Sequence, residues 1–188
     1  MIAALVGGVP ITVAEVDARL AGMRTGPLAA RLPHPGSAEG RNLRRWLVQL
    51  MAATAVVEQE AGALGLPPAP PAEPPTPPPT PPPTLARALR LGGVTAAVLA
   101  ARPDVYAAVT ADVTVGEERV RDYWDRNRDR HHEPYAQCRD AIAALLLREA
   151  RDRHFTRWLD ERCAARVRLR PGFEHPGDPA QPDYTHHH

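Results

Sequence analysis

Lysine is absent from the 188 residues, so all 23 basic positions are arginine. Against 22 acidic residues they leave a formal charge of +1, which gives the chain no net field toward nucleic acid or an anionic membrane, and neither is expected as a partner. Alanine and proline are abundant alongside the arginine bias, so base composition explains it and an arginine count says little about function. Serine occurs once, as Ser37 in "PGSAEG". That is no GxSxG elbow, which excludes a serine hydrolase of the usual kind, and Ser37 is read as a helix cap. Cys138 and Cys163 lie 25 positions apart on one predicted helix, a separation of about 37 Å that no intrachain disulfide spans. Aromatics make up only 5% of the chain, so the core must be aliphatic. No apolar run reaches the roughly 18 residues that cross a bilayer. The opening "MIAALVGGVPIT" lacks a basic n-region and a small-residue cleavage site, so a cytoplasmic protein is expected.

What is present reads as helices with a little strand. Ile2 to Ile11 alternates weakly around Gly7 and Gly8, a pair suited to a tight turn, which predicts a strand or hairpin. Thr12 and Glu15 form a capping box, with Ile11 and Val16 at the staple positions. A long second helix carries Leu43, Trp46, Leu47, Leu50, Thr54, Val57, Ala61 and Leu64 on one stripe, and Gly65 closes it. Residues 67–84 follow, with 12 prolines in the 17 residues from Pro67 to Pro83. As polyproline II that stretch would span about 50 Å, a semi-rigid linker between residues 1–66 and 85–170 of one domain. Short helices broken at Gly92-Gly93 and near Pro103 come next. A second capping box is predicted at Thr114 and Glu117, opening a helix with Val120, Tyr123 and Trp124 inward and charges outward. The last helix runs from about Tyr135 to Ala165 with Cys138, Ile142, Leu145, Phe155, Trp158 and Leu159 near one face. "RVRLR" then alternates as a strand.

"VGGVPITVAEVDARL" and "LVQLMAATAVVEQEAGALGL" resemble the N-terminal segment of SurA and PrsA-type chaperones (trigger factor/SurA-like). "VTVGEERVRDYWDRNRDRHHEP" and "AIAALLLREARDRHFTRWLDERCAARVRL" are similar to that family's later helices and closing strand. The likeness covers about 130 of the 188 residues, leaving out the proline run and the tail. It implies a mainly α fold, a SurA N-domain-like helical scaffold with a small β-sheet pairing Ile2 to Val6 with Arg166 to Arg170. It also implies a cradle for extended polypeptide, for which Trp46, Leu50, Trp124 and Trp158 on the helix faces are the candidate binding residues. The family's parvulin prolyl-isomerase domain would fall after Pro134, where "YAQCRDAIAALL" follows directly, so that activity is not expected.

Two features outside the resemblance offer chemistry. Cys138 lies within seven residues of His131 and His132, a thiol and imidazoles in sequence proximity, although a buried structural thiol fits the same pattern. The tail, residues 171–188, gathers His175, Asp178, Asp183, His186 and His188, donors suited to Zn, Fe, Ni or Cu. The competing readings of the tail are a shortened histidine tag, a disordered end, or an end docked by Phe173 and Tyr184. The chain is therefore expected to be a chaperone-like or accessory protein binding a polypeptide or protein partner. The alternatives are a small metal-dependent enzyme or pathway accessory factor using the tail, and a homodimer completed by the apolar helix faces.

Overall fold

The computed structural model describes residues 1–27, 29–68, 85–130 and 133–184. Strands β1 (Ile2–Val6) and β2 (Val9–Thr12) form a hairpin whose turn residues Gly7 and Gly8 have φ of 55° and 87°. Two successive positive φ values match the right-handed twist of the flanking strands, a conformation that glycine adopts at low cost. Gly7 has a second reason to lack a side chain. A Cβ there would sit 2.5 Å from Gln59 Oε1, and Gln59 Nε2 donates to the Val6 carbonyl at 3.0 Å. The end of β1 is thus fastened to the second helix.

Thr12 caps α1 (Val13–Thr25), with both halves of the capping box formed to Glu15. Ser37 caps α2 (Ala38–Ala63) by accepting from Gly40 N at 3.1 Å. At its far end Leu66 N donates to Ala61 O and Gly65 N to Gly62 O, with Gly65 at φ 70°, the paired bonds of a Schellman stop. The expected single stripe on α2 is too narrow. Val48, Ala52, Ala53 and Val56 are buried as well, while Thr54 and Leu64 are exposed, because the sheet covers one side of the helix and later helices another.

Helices α3 (Leu85–Leu91), α4 (Gly93–Ala101) and α5 (Pro103–Val109) break at Gly92 and before Pro103. The expected capping box at Thr114 does not form. Helix α6 (Glu117–Arg126) starts on Gly116 without a side-chain cap, Val115 packs into the core beneath it, and Glu117 turns to Tyr135 and Arg139 instead. Helix α7 (Tyr135–Arg166) then runs 32 residues, about 48 Å, and passes into β3 (Val167–Leu169), with Leu146 buried where Leu145 was expected to be. The sheet order is β2-β1-β3, with Ala4 opposite Leu169 and Val6 opposite Val167, so the fold is mainly α with both ends of the domain closed on one antiparallel sheet.

Three apolar clusters follow. Ala3, Ala4, Val6, Val16, Leu47, Val48 and Val56 fill the space between sheet, α1 and α2. Val57, Ala61, Leu99, Val105, Phe155 and Leu159 join α2, α4, α5 and the second half of α7. The first half of α7 holds Val120 of α6 against Cys138, Ile142 and Leu146, with Val115, Tyr123 and Trp124 partly buried beside them. Glu60 of α2, 6% exposed, is held by Arg166 at 2.6 Å and Arg162 at 3.2 Å and fastens the two long helices together. No helix among the described residues is long and apolar enough to cross a membrane.

Candidate functional site

A groove of about 560 Å³ opens between α3 and α7, lined chiefly by Arg90 and Leu91 on one side and Asp152, Thr156, Arg157 and Asp160 on the other. Its wall is built on aromatic packing. Phe155, fully buried, stacks on Trp158 with centroids 5.4 Å apart and meets the edge of Tyr106 at 5.3 Å. With one face of α7 so committed, the adjacent face presents Glu149, Asp152, Arg153, Thr156, Arg157 and Asp160 in a line at helical spacing.

Charges in the groove are largely settled. Asp152 takes a two-point bond from Arg87, at 2.8 and 2.5 Å, and the Tyr106 hydroxyl donates to it at 2.8 Å. Burial and the neighbouring Asp152 charge push the Tyr106 phenol up to about 12. Glu149 pairs loosely with Arg90 at 3.6 Å and Arg153 at 3.9 Å. Arg157 and Asp160 make no ion pair among the described residues, and desolvation raises the Asp160 carboxyl. Thr156 donates its hydroxyl to the Asp152 carbonyl. None of the lining residues is a serine, cysteine or histidine. The groove thus presents a charged lining in which Arg157 and Asp160 make no ion pair among the described residues.

A model of a family of unknown function (DUF7158) matches residues 2–39. The match spans the hairpin, α1 and the first residues of α2. No curated protein and no solved structure matches the chain.

The four residues expected to bind a peptide do not converge. Trp46 and Leu50 pack on the rim of the first cluster, Trp158 on the second, and Trp124 on the third, edge-on to Tyr135 at 5.7 Å. Tyr135 and Trp158 stand 23 positions apart on α7, about 34 Å along its axis. Only Trp158 borders the groove's wall.

The described part of the tail lies against α2. Phe173 enters the first cluster, with the Arg44 guanidinium 5.4 Å from its ring centroid. Asp183 is buried and taken by arginine: Arg41 Nε donates to its two oxygens at 2.9 and 3.0 Å, Arg41 Nη2 also donates to it, and Arg45 Nη1 reaches it at 2.7 Å. These cations hold its carboxyl far below the usual carboxylate range. His175 is exposed and accepts from Gly177 N, while Asp178 accepts from Ala180 N. The three do not meet, and no group of three His, Cys, Asp or Glu side chains among the described residues is arranged to hold a metal. His186 and His188 lie outside the described residues, as do His131 and His132 beside Cys138 and residues 69–84 of the proline run. Cys138 and Cys163 are both free thiols; Cys138 is buried, with its Sγ 3.7 Å from the Glu133 carbonyl, and Cys163 is partly buried.

Sequence reasoning missed Arg87, Asp152, Arg157 and Asp160. A signal was available, since the polar residues of α7 recur at i, i+3, i+4, i+7, i+8 and i+11 from Glu149, a stripe as regular as an apolar one. Nothing local marks Arg41, Asn42 and Arg45, whose partner is 138 to 142 residues away.

Proposed function

We propose that this protein is a chaperone-like or accessory protein that binds an extended polypeptide or a partner protein on a SurA-like scaffold without prolyl-isomerase activity, and that the α3–α7 groove receives the chain. The observation that carries the reading is the antiparallel pairing of β1 with β3, the end-to-end closure that the resemblance implies. Two further features agree with it. Helix α6 gives way to α7 within the eight residues 127–134, too few for an isomerase domain, and the groove offers unpaired Arg157 and Asp160 rather than a nucleophile. An extended chain exposes backbone groups and side chains of both signs, and a groove whose Arg157 and Asp160 make no ion pair among the described residues can engage it without demanding a net charge.

The test is light scattering from a chemically denatured client enzyme diluted into buffer with and without the protein. Stoichiometric protein is expected to slow aggregation, and Arg157→Ala combined with Asp160→Ala, both at exposed positions, is expected to weaken that effect with the helical circular dichroism unchanged. A wild-type protein that neither slows aggregation nor retains any member of an extended-peptide array ends the proposal.

A further inference from the structure

The tail's contact with α2 has the form of a ligand in its site. Arg45 and Asp183 are both buried, with side chains 5% and 7% exposed, so each charge depends on the other for solvation. Recognition extends past the carboxylate. Asn42 Nδ2 donates to the Asp183 carbonyl at 2.9 Å, and Gln181 Nε2 reaches Asn42 Oδ1 at 3.3 Å. Three side chains on the first two turns of α2 thus bind one residue of an irregular peptide through its side chain and its main chain together. A free carboxylate metabolite would leave the Asn42 donor unused.

The segment that leads into the site is more loosely held than its two ends, Phe173 and Gln181, which are both buried. Between Phe173 in the core and Gln181, most of residues 174–180 are exposed or half-exposed, and local turn bonds such as Asp178 N to His175 O hold them rather than a sheet or helix. Pro171 and Gly172 precede the segment, Gly172 at φ 90°, a pivot between strand β3 and the tail. The Arg41 side chain stays 49% exposed, leaving the clamp approachable from solvent.

We infer that Arg41, Asn42 and Arg45 form a recognition site for an extended, aspartate-bearing segment of a partner protein, held closed in this structure by the chain's own Asp183. It is a different surface from the α3–α7 groove, and the inference does not rest on that groove. The tail is an intramolecular competitor. A short tether gives it an effective concentration of about millimolar, so an isolated peptide of equal affinity does not displace it at micromolar concentration, and a partner with added contacts does.

Full-length Asp183→Ala opens the site while leaving the clamp in place. The probe is a fluorescein-labelled peptide of residues 174–184, EHPGDPAQPDY, read by anisotropy. The variant is expected to bind it about ten-fold or more tighter than the wild type does, because the tethered competitor is gone. Adding Arg45→Gln is expected to abolish that binding, and a probe with alanine as its penultimate residue is expected to bind neither chain. Equal binding to wild type and variant, or no binding to a variant that circular dichroism shows to be folded, overturns the inference. Should Asp183→Ala not fold, Asp183→Asn, which keeps the shape and one acceptor, takes its place. Failure of both to fold would make the tail an inseparable part of the structure and would equally overturn it.

Discussion

Gly40 and Gly22 both lie inside helices, yet they are not alike. A Cβ on Gly40 would stand 2.0 Å from the His34 carbonyl oxygen and 2.9 Å from its carbon, both backbone atoms, whereas one on Gly22 would meet nothing within 4 Å. Gly40→Ala must therefore push the loop off the first turn of α2 and is expected to cost about 1–3 kcal/mol, the usual range for overpacking. Gly22→Ala is expected to gain about 0.5–1 kcal/mol from helix propensity. Urea midpoints of the two variants give the comparison, and a stabilised Gly40→Ala would show that the loop yields. Periodicity places both glycines in helices but cannot tell them apart. The difference lies in how residues 33–36 fold back, with Ser37 N and Oγ both donating to the His34 carbonyl.

Among the elements, a pair of threonines makes the corresponding contrast. Each precedes an acid by three positions, but Thr12 closes its box with Glu15 and Thr114 does not close one with Glu117. Thr12→Ala is expected to cost about 1 kcal/mol and Thr114→Ala less than about 0.5 kcal/mol in the same denaturation assay. Equal losses would place the start of α6 at Thr114 after all. The starts of α1 and α2, the Gly65 stop and the breaks at Gly92 and Pro103 were legible because each rests on residues within one turn of each other. The faces of α2 were not. Arg45 and Glu60 look like surface residues, and each is buried only because its partner arrives from at least a hundred positions along the chain: Asp183 for Arg45, Arg162 and Arg166 for Glu60. The groove was half legible, since the polar stripe of α7 is local while α3, which makes it a groove, comes from elsewhere.

For the molecule as a whole, two sets of groups bound its stability in pH. Asp183 and Glu174 have carboxyls held below their ordinary range, the first by Arg41 and Arg45, the second by the Gly172 N–H that donates to it. A depressed pKa contributes stability that is complete above the unfolded value of about 4 and is lost as pH falls further. Cys163, between the first two clusters, has its thiol pushed up to about 11 by burial and by Asp160, and Tyr106 is raised to about 12. A raised pKa works in the opposite direction. Its contribution is complete below the unfolded values, about 8.5 for cysteine and 10 for tyrosine, and is lost as pH climbs through the folded ones. Stability is therefore expected to be level from about pH 5 to 8, with an acid limb that Asp183→Asn flattens and an alkaline limb that Cys163→Ala makes shallower between about pH 9 and 11. Denaturant midpoints taken at half-unit pH steps trace both limbs. The same burial protects the thiols, so a maleimide at pH 8 is expected to label Cys138 and Cys163 slowly in the folded protein and rapidly in urea. Fast labelling of Cys163 without denaturant would mean that α7 separates from α2 in the native state, and the alkaline limb should then be missing from the wild type as well.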